Sequence, residues 1–511
     1  MDDSGRPRVG VVCVSDVDTV GFDQERERRM RALHDTFIAS LEARGCTPVD
    51  VMAALRGTDE GVFGVRLRAD LQRCADYLRQ QRAECLVIEC YFWTPPMVVV
   101  HLARETDLPV LLFALDVPQW PGTSCMTAAG GALLESGATT HALTHERLKG
   151  DYDGAAVWAH GVAAIEKMKR SSALLWGGTY SVKMEEAQDD LPRLKTLLIG
   201  DVLSEDQSML LSRMHRILER QPERADRFAA WLKECGATIL FDDKRFTPAI
   251  LRTQLAYLLA ARDRLAELAD ENVQGVSIKC DPELRTDYGV TPCTLPAFLP
   301  FASDCEGQRS VIPTVCEGDI KALLTMMLLH RVNPSTPPMF GDIMLVSDMG
   351  VYVSNCGGTS IHWAAESYDP SLVLPELTIQ ANLEGESGGS VGFRSKAGPV
   401  TVARLMRVRG EYWMTMGVGE ALAIEGAVRE WVGTAYGSMY PQTAFRLPSS
   451  SANLLRAFGG NHLTATRGDC SRELTYACRE VGIPVLRIDS DQAIEEFRAQ
   501  YLTSRARRWC P

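Results

Sequence analysis

Fifteen cysteines are present in 511 residues, yet no two of them stand in a Cys-x-x-Cys pair. Spread singly, they offer neither the ligand spacing of a structural zinc site nor the framework of a small disulfide-held domain. They read as buried, inert thiols, with Cys316 and Cys356 set apart only by lying beside candidate site segments. Positive charge is also short. Lys and Arg number 54 against 66 Asp and Glu, a net charge of −12, and the basic residues are scattered. That pattern lacks the footprint of a phosphate-backbone or anionic-membrane binder, so nucleic acid is excluded as an expected partner. No apolar run approaches the roughly eighteen residues of a membrane span. The opening MDDSGRPRVG has neither the charged start nor the apolar core of a signal peptide. The expectation is a cytoplasmic protein with no membrane partner.

What is present is ordinary globular composition, 46% hydrophobic and 23% charged, in a chain long enough for about two to four domains. RVGVVCV (8–14), CLVIECYF (85–92) and PVLLFAL (109–115) read as buried strands separated by amphipathic helices, the rhythm of a parallel α/β sheet. The rhythm restarts with SALLWGG (172–178), TLLIGDVL (196–203), ATILFDD (237–243) and NVQGVSIKC (272–280), and closes with a helix, IKALLTMMLLH, just after Glu317. Beyond about residue 338, shorter runs such as LTIQANL, VTVARLMRV and YWMTMGVGEAL alternate with glycines, which suits an antiparallel sheet or small barrel ending in an α/β piece, SRELTYACREVGIPVLRI. The predicted architecture is two parallel-sheet α/β domains, 1–171 and 172–337, followed by a β-rich, barrel-like C-terminal domain, 338–511.

Three residues stand out as potential metal ligands: Glu317 in PTVCEGDIKALL, Asp342 in MFGDIML and His462 in FGGNHLTATRGD. Two carboxylates and one imidazole form a mostly hard-oxygen set, suited to Mn²⁺ or Mg²⁺ and able to leave positions open for a polyol. Each also has a plain structural reading. An acidic residue at the mouth of a helix can simply complement the helix dipole, a role that Asp319 fits better than Glu317. Asp342 can be a turn former. His462 follows Gly459-Gly460-Asn461 in a permissive loop, where a packed core histidine is less expected. The doublets Gly177-Gly178 and Gly357-Gly358 could let a substrate approach backbone, but neither has the spacing of a nucleotide-binding loop.

In order, the segments GVVCVSD, LLWGG, CEGD with its Met-rich helix, MFGD, NCGG, GPVTVARL, GVGEAL and GGNHLTATRGD resemble the L-fucose isomerase family and its L-arabinose isomerase-like relatives. The resemblance spans most of the chain and is most specific in the CEGD region and the last third. It implies Mn²⁺ held by Glu317, Asp342 and His462, and a ketol isomerase that moves a proton between C1 and C2 of a free sugar through an enediolate. Glu317 and Asp342 would double as acid and base, and Asn461 would hydrogen-bond a substrate hydroxyl. It further implies a homo-oligomer, trimer or hexamer, whose active sites are completed by a neighbouring subunit, with Trp93 of ECYFWTPP as a candidate contact. Dehydration or epimerisation of a modified sugar at the same metal site, and a non-catalytic sugar-binding relative, stay open as alternatives.

Three departures from the family pattern bear on the substrate. Asn355, a candidate substrate contact, stands where many relatives have His before Cys-Gly. The opening strand is not followed by an arginine-rich segment. The loop GESGGSVGFRSKAG lacks the family tyrosine and brings Arg394 and Lys396 instead, a pair suited to a sulfonate, phosphate or carboxylate substituent.

Overall fold

Apolar runs with almost no polar interruption can only be satisfied with both faces covered, and the first sheet shows this. In the computed structural model, which describes residues 5–56, 61–137, 139–179, 181–242, 244–437 and 439–502, strands β1 (Arg8–Cys13), β2 (Thr47–Asp50), β3 (Cys85–Glu89), β4 (Val110–Ala114) and β5 (Glu146–Lys149) form a parallel sheet of order β2-β1-β3-β4-β5. Every residue of β3 and β4 is buried. This sheet and its helices are one compact unit, residues 1–167 together with 472–482. The terminal segment expected to close the C-terminal domain is therefore divided. Its helix, Ser471–Glu480, packs Tyr476 against the core of this first unit, whereas Val485–Arg487 pairs elsewhere.

The second unit comprises residues 168–471 and 483–511. Its parallel sheet holds β6 (Ser172–Trp176), β7 (Asp201–Glu205), β8 (Val273–Ile278) and β9 (Thr314–Cys316) in the order β9-β8-β6-β7. Two expected strands differ. In TLLIGDVL the strand begins only at Asp201, because Asp190 caps Arg193 N and Pro192 sits in the first turn of a helix over Leu191–Leu197. ATILFDD supplies Thr238–Leu240, largely exposed, which pairs with Thr378–Ala381 in a separate three-stranded sheet. The helix Ile320–Val332 buries every residue except His330 and Arg331, which explains a sequence apolar all round.

Against that helix lies a seven-stranded sheet: β10 (Met339–Ser347), β11 (Gly350–Ser354), β12 (Gly398–Val408), β13 (Glu411–Ala421), β14 (Thr443–Arg446), β15 (His462–Arg467) and β16 (Val485–Arg487). The order is β12-β15-β10-β11-β14-β13-β16, and β12 also pairs with β13 along its length, so the strands describe a partial ring. Both sheets belong to the same compact unit, and their junction carries the site.

Candidate metal centre

Strand β9 ends at Cys316, and the chain then turns through Glu317 (φ 63°) and Gly318 (φ 67°) before Asp319 caps the helix. A side chain at Gly318 would stand 2.8 Å from the Gly178 carbonyl oxygen, so only glycine fits where this turn meets the strand β6 loop. Glutamate in the left-handed region costs about 1 kcal/mol or more, a strain typical of functional positions. The turn aims the Glu317 side chain at His462, the first residue of β15, beside Asp342 in β10.

Those two strands are antiparallel and place Asp342 directly opposite His462. His462 Nε2 lies 3.0 Å from Glu317 Oε2 and 3.5 Å from Asp342 Oδ1, and one donor atom from each residue falls within 4.8 Å of the others. Asn461 Nδ2 donates to Asp342 Oδ1 at 2.7 Å. The Phe340 ring packs against the imidazole with centroids 4.5 Å apart and planes tilted by 56°.

Asp319 and Arg404 complete the arrangement; Arg404 lies within the GPVTVARL segment, but nothing in the sequence marks it as a partner of the site. Asp319 Oδ2 accepts from His462 Nδ1 at 2.8 Å and from Arg404 Nη1 at 2.8 Å, while Oδ1 accepts from Ala322 N at 2.9 Å. Asp319 is thus the helix cap that its position suggested and also the partner that orients the imidazole, as carboxylates do behind metal-binding histidines. A residue with two such roles looks, in sequence, like a cap alone.

Burial alone would raise the Asp319 carboxyl, but Arg404 and His462 hold it well below the usual carboxylate range. For His462, burial works downward, yet the hydrogen bonds to Asp319 and Glu317 and the nearby Asp342 charge push it up to about 10. Asp342 is pushed up to about 6 by burial, reinforced by the Glu317 charge and opposed by His462. Crowding of carboxylates, here buried Glu317 and half-buried Asp342, is what a bound cation relieves. The donor set, two carboxylates and an imidazole with its orienting partner, fits a hard divalent ion.

Glu317, Asp342, Asn461 and Asn355 line one cavity of about 340 Å³, with Arg285 and Tyr440 on its wall. Arg285 is the cation among its lining residues, tied to Glu384 at 3.0 Å and Asp281 at 2.6 Å. Arg394 is not brought to this cavity. It is exposed and lines a separate one of about 320 Å³, while Lys396 pairs with Glu376 at 3.4 Å. Trp93 lies half-buried after β3 in the first unit. The glycine doublets serve packing: a side chain at Gly357 would stand 2.0 Å from Cys293 Sγ, and one at Gly177 would meet Gln207 at 2.5 Å.

Residues 353–489 match the L-fucose isomerase C-terminal domain family. The chain is 23% identical over 227 residues to a sulfoquinovose isomerase of Alkalicoccus urumqiensis, covering 44% of this chain and 46% of that protein. It is also 23% identical over 209 residues to one of Priestia aryabhattai, covering 40% and 42%. The matched stretches thus span less than half the length of these relatives. Among the described residues, no helix is long and apolar enough to cross a membrane. With its candidate metal-binding cluster, the chain carries an L-fucose isomerase C-terminal domain and has sulfoquinovose isomerases as distant homologues, consistent with a divergent member of this sugar-isomerase superfamily.

Proposed function

We propose that this protein is a metal-dependent aldose–ketose isomerase acting on a free, anionic sugar through an enediolate. The observation that carries the reading is the convergence of Glu317, Asp342 and His462 on one cavity, with Asp319 behind the imidazole. Glu317, Asp342 and His462 would hold Mn²⁺ or Mg²⁺, which when bound would stabilise the negative charge developing on the sugar oxygens. The protein's own groups supply the rest. A carboxylate of Glu317 or Asp342 removes the proton from one carbon and returns it to the next, and the other handles the hydroxyl proton. Asn461, held against Asp342, orients a substrate hydroxyl.

An anionic substrate is supported by the similarity to sulfoquinovose isomerases and by Arg285 on the cavity wall. Cytoplasmic location and a homo-oligomer in which Trp93 reaches a neighbour's site belong to the same proposal. The test is a metal-depleted preparation resupplied with Mn²⁺ or Mg²⁺ and offered neutral and sulfonated or carboxylated aldoses in D₂O. Isomerisation conserves the carbon skeleton and formula and brings solvent deuterium to the carbon that receives the proton, unless transfer is internal. A product lighter by one water would replace isomerisation with dehydration, and no turnover of any sugar with either metal would overturn the reading.

A further inference from the structure

Read singly along the chain, the cysteines offer no metal site, yet the fold gathers four of them. Cys280, Cys293, Cys316 and Cys356 line a second, smaller space of about 20 Å³, and all four are free thiols. Its wall is continuous with that of the larger cavity through Arg285, Asn355, Cys356 and Glu384. The convergence follows from topology. Cys316 ends β9, which pairs with β8, and Cys280 follows the end of β8 by two residues. The absence of a side chain at Gly357 leaves room for Cys293 Sγ.

The sulfurs of Cys280 and Cys316 and a carboxylate oxygen of Glu317 lie within 4.8 Å of one another. Cys356 lines the same space. Tetrahedral bonds of about 2.3 Å to sulfur place ligand atoms roughly 3.8 Å apart, so small side-chain rotations close the set on an ion. Sulfur donors favour zinc, cadmium or copper(I) over manganese and magnesium, the opposite preference to the oxygen-rich set next door.

We propose that Cys280, Cys316 and Glu317 form a second cation site for thiophilic divalent ions that overlaps the oxygen-rich centre through Glu317. On binding, the two thiol protons leave to solvent and two metal–sulfur bonds form, with no change of oxidation state. An ion there draws the Glu317 carboxylate away from Asp342 and His462, so zinc or cadmium acts against the hard-ion centre. That antagonism rests on the function proposed above; the binding of the thiophilic ion does not.

The test uses Cd²⁺ on the metal-free, full-length protein. One equivalent should produce the ultraviolet sulfur-to-cadmium charge-transfer band. Cys280→Ser and Cys316→Ser should each weaken that binding by at least about 100-fold, beyond what loss of an outer partner does to a metal site. Cys235→Ser, at a half-buried position outside the cluster, should leave it unchanged. Should either serine variant fold poorly, X-ray absorption on the zinc-loaded wild-type protein decides instead, with two or more sulfur neighbours at about 2.3 Å expected. Absence of the band, its persistence in both serine variants, or a zinc shell without sulfur would each overturn the site. These readouts do not depend on any sugar being turned over, so they remain decisive if the isomerase reading fails.

Discussion

Asp319 accepts a hydrogen bond from His462 Nδ1 at 2.8 Å across 143 residues of sequence, and Nε2 of the same ring faces Glu317 and Asp342. Holding Nδ1–H fixes both the ring orientation and which nitrogen is offered to an ion. The same carboxylate starts the helix Ile320–Val332 and neutralises buried Arg404. The candidate metal cluster, the helix start and a buried ion pair are therefore coupled through one side chain.

The ligand assignment has a direct consequence. Glu317→Gln, Asp342→Asn and His462→Ala should each weaken Mn²⁺ binding by about 100-fold or more, with turnover falling in parallel, because each removes a donor that outer partners merely orient. Electron paramagnetic resonance of free Mn²⁺ measures the affinity. Wild-type affinity in all three would sink the site.

For Asp319, charge and shape separate. Asp319→Asn keeps a capping oxygen but loses the charge that pairs with His462 and Arg404, and Mn²⁺ affinity should fall about 10- to 100-fold. Asp319→Ala should in addition destabilise the protein by about 3–5 kcal/mol, since it leaves the Arg404 guanidinium buried without its countercharge. Equilibrium denaturation beside Mn²⁺ titration distinguishes the two, and equal affinity in wild type and Asp319→Asn would rule out an orienting role.

Glu317 sits at φ 63°, so function and stability should trade against each other there. Glu317→Gly relieves backbone strain of about 1 kcal/mol or more, offset by the greater chain freedom of glycine, and loses the hydrogen bond from His462 at 3.0 Å. Glu317→Ala loses the same bond but keeps the strain, so metal-free Glu317→Gly should melt no lower than metal-free Glu317→Ala, with Mn²⁺ affinity lost in both. A markedly lower melting temperature for the glycine variant would show that the turn is not strained.

The first unit carries its own pH dependence. His34 is buried between Glu89 Oε2, 2.6 Å from Nδ1, and Asp50 Oδ1, 3.0 Å from Nε2, with Tyr91 also donating to Glu89. Burial works against the imidazolium, but the Glu89 charge and the hydrogen bonds to Asp50 and Glu89 push His34 from 6.5 up to about 10. Because the folded value is the higher one, this stabilisation is complete below about pH 6.5 and is lost as pH rises toward 10. Melting temperature should fall across that window more steeply in wild type than in His34→Gln. Parallel slopes would exclude His34 as the cause.

Substrate charge separates two arginines. Arg285 lines the cavity that holds Glu317 and Asp342, whereas Arg394 lines another. If the substrate is an anionic sugar, Arg285→Met should raise KM for it at least about tenfold, a loss of roughly 1.4 kcal/mol of binding, and affect a neutral sugar less. Arg394→Ala should change neither. A selective loss in Arg394→Ala would instead make that exposed loop the anion contact.

The parts legible in the sequence are those with local causes. Strands β1, β3, β4 and β6 announce themselves as apolar runs, and the helix after Glu317 as an apolar stretch too long for a strand, because burial on all sides leaves no place for polar residues. Glu317, Asp342 and His462 are recognisable as candidate ligands by residue type and motif, and the fold brings the three together, since donor chemistry resides in the side chain itself. The tertiary structure decided what depends on distant partners. Asp319 reads as a cap until His462 and Arg404 arrive beside it, and Cys280 and Cys316 are solitary thiols until β8 and β9 pair. Likewise, the helix Ser471–Glu480 and the strand Val485–Arg487 are neighbours in sequence but belong to different compact units. Composition and spacing report the environment a residue needs, while the group that supplies it is chosen only when strands register and helices pack.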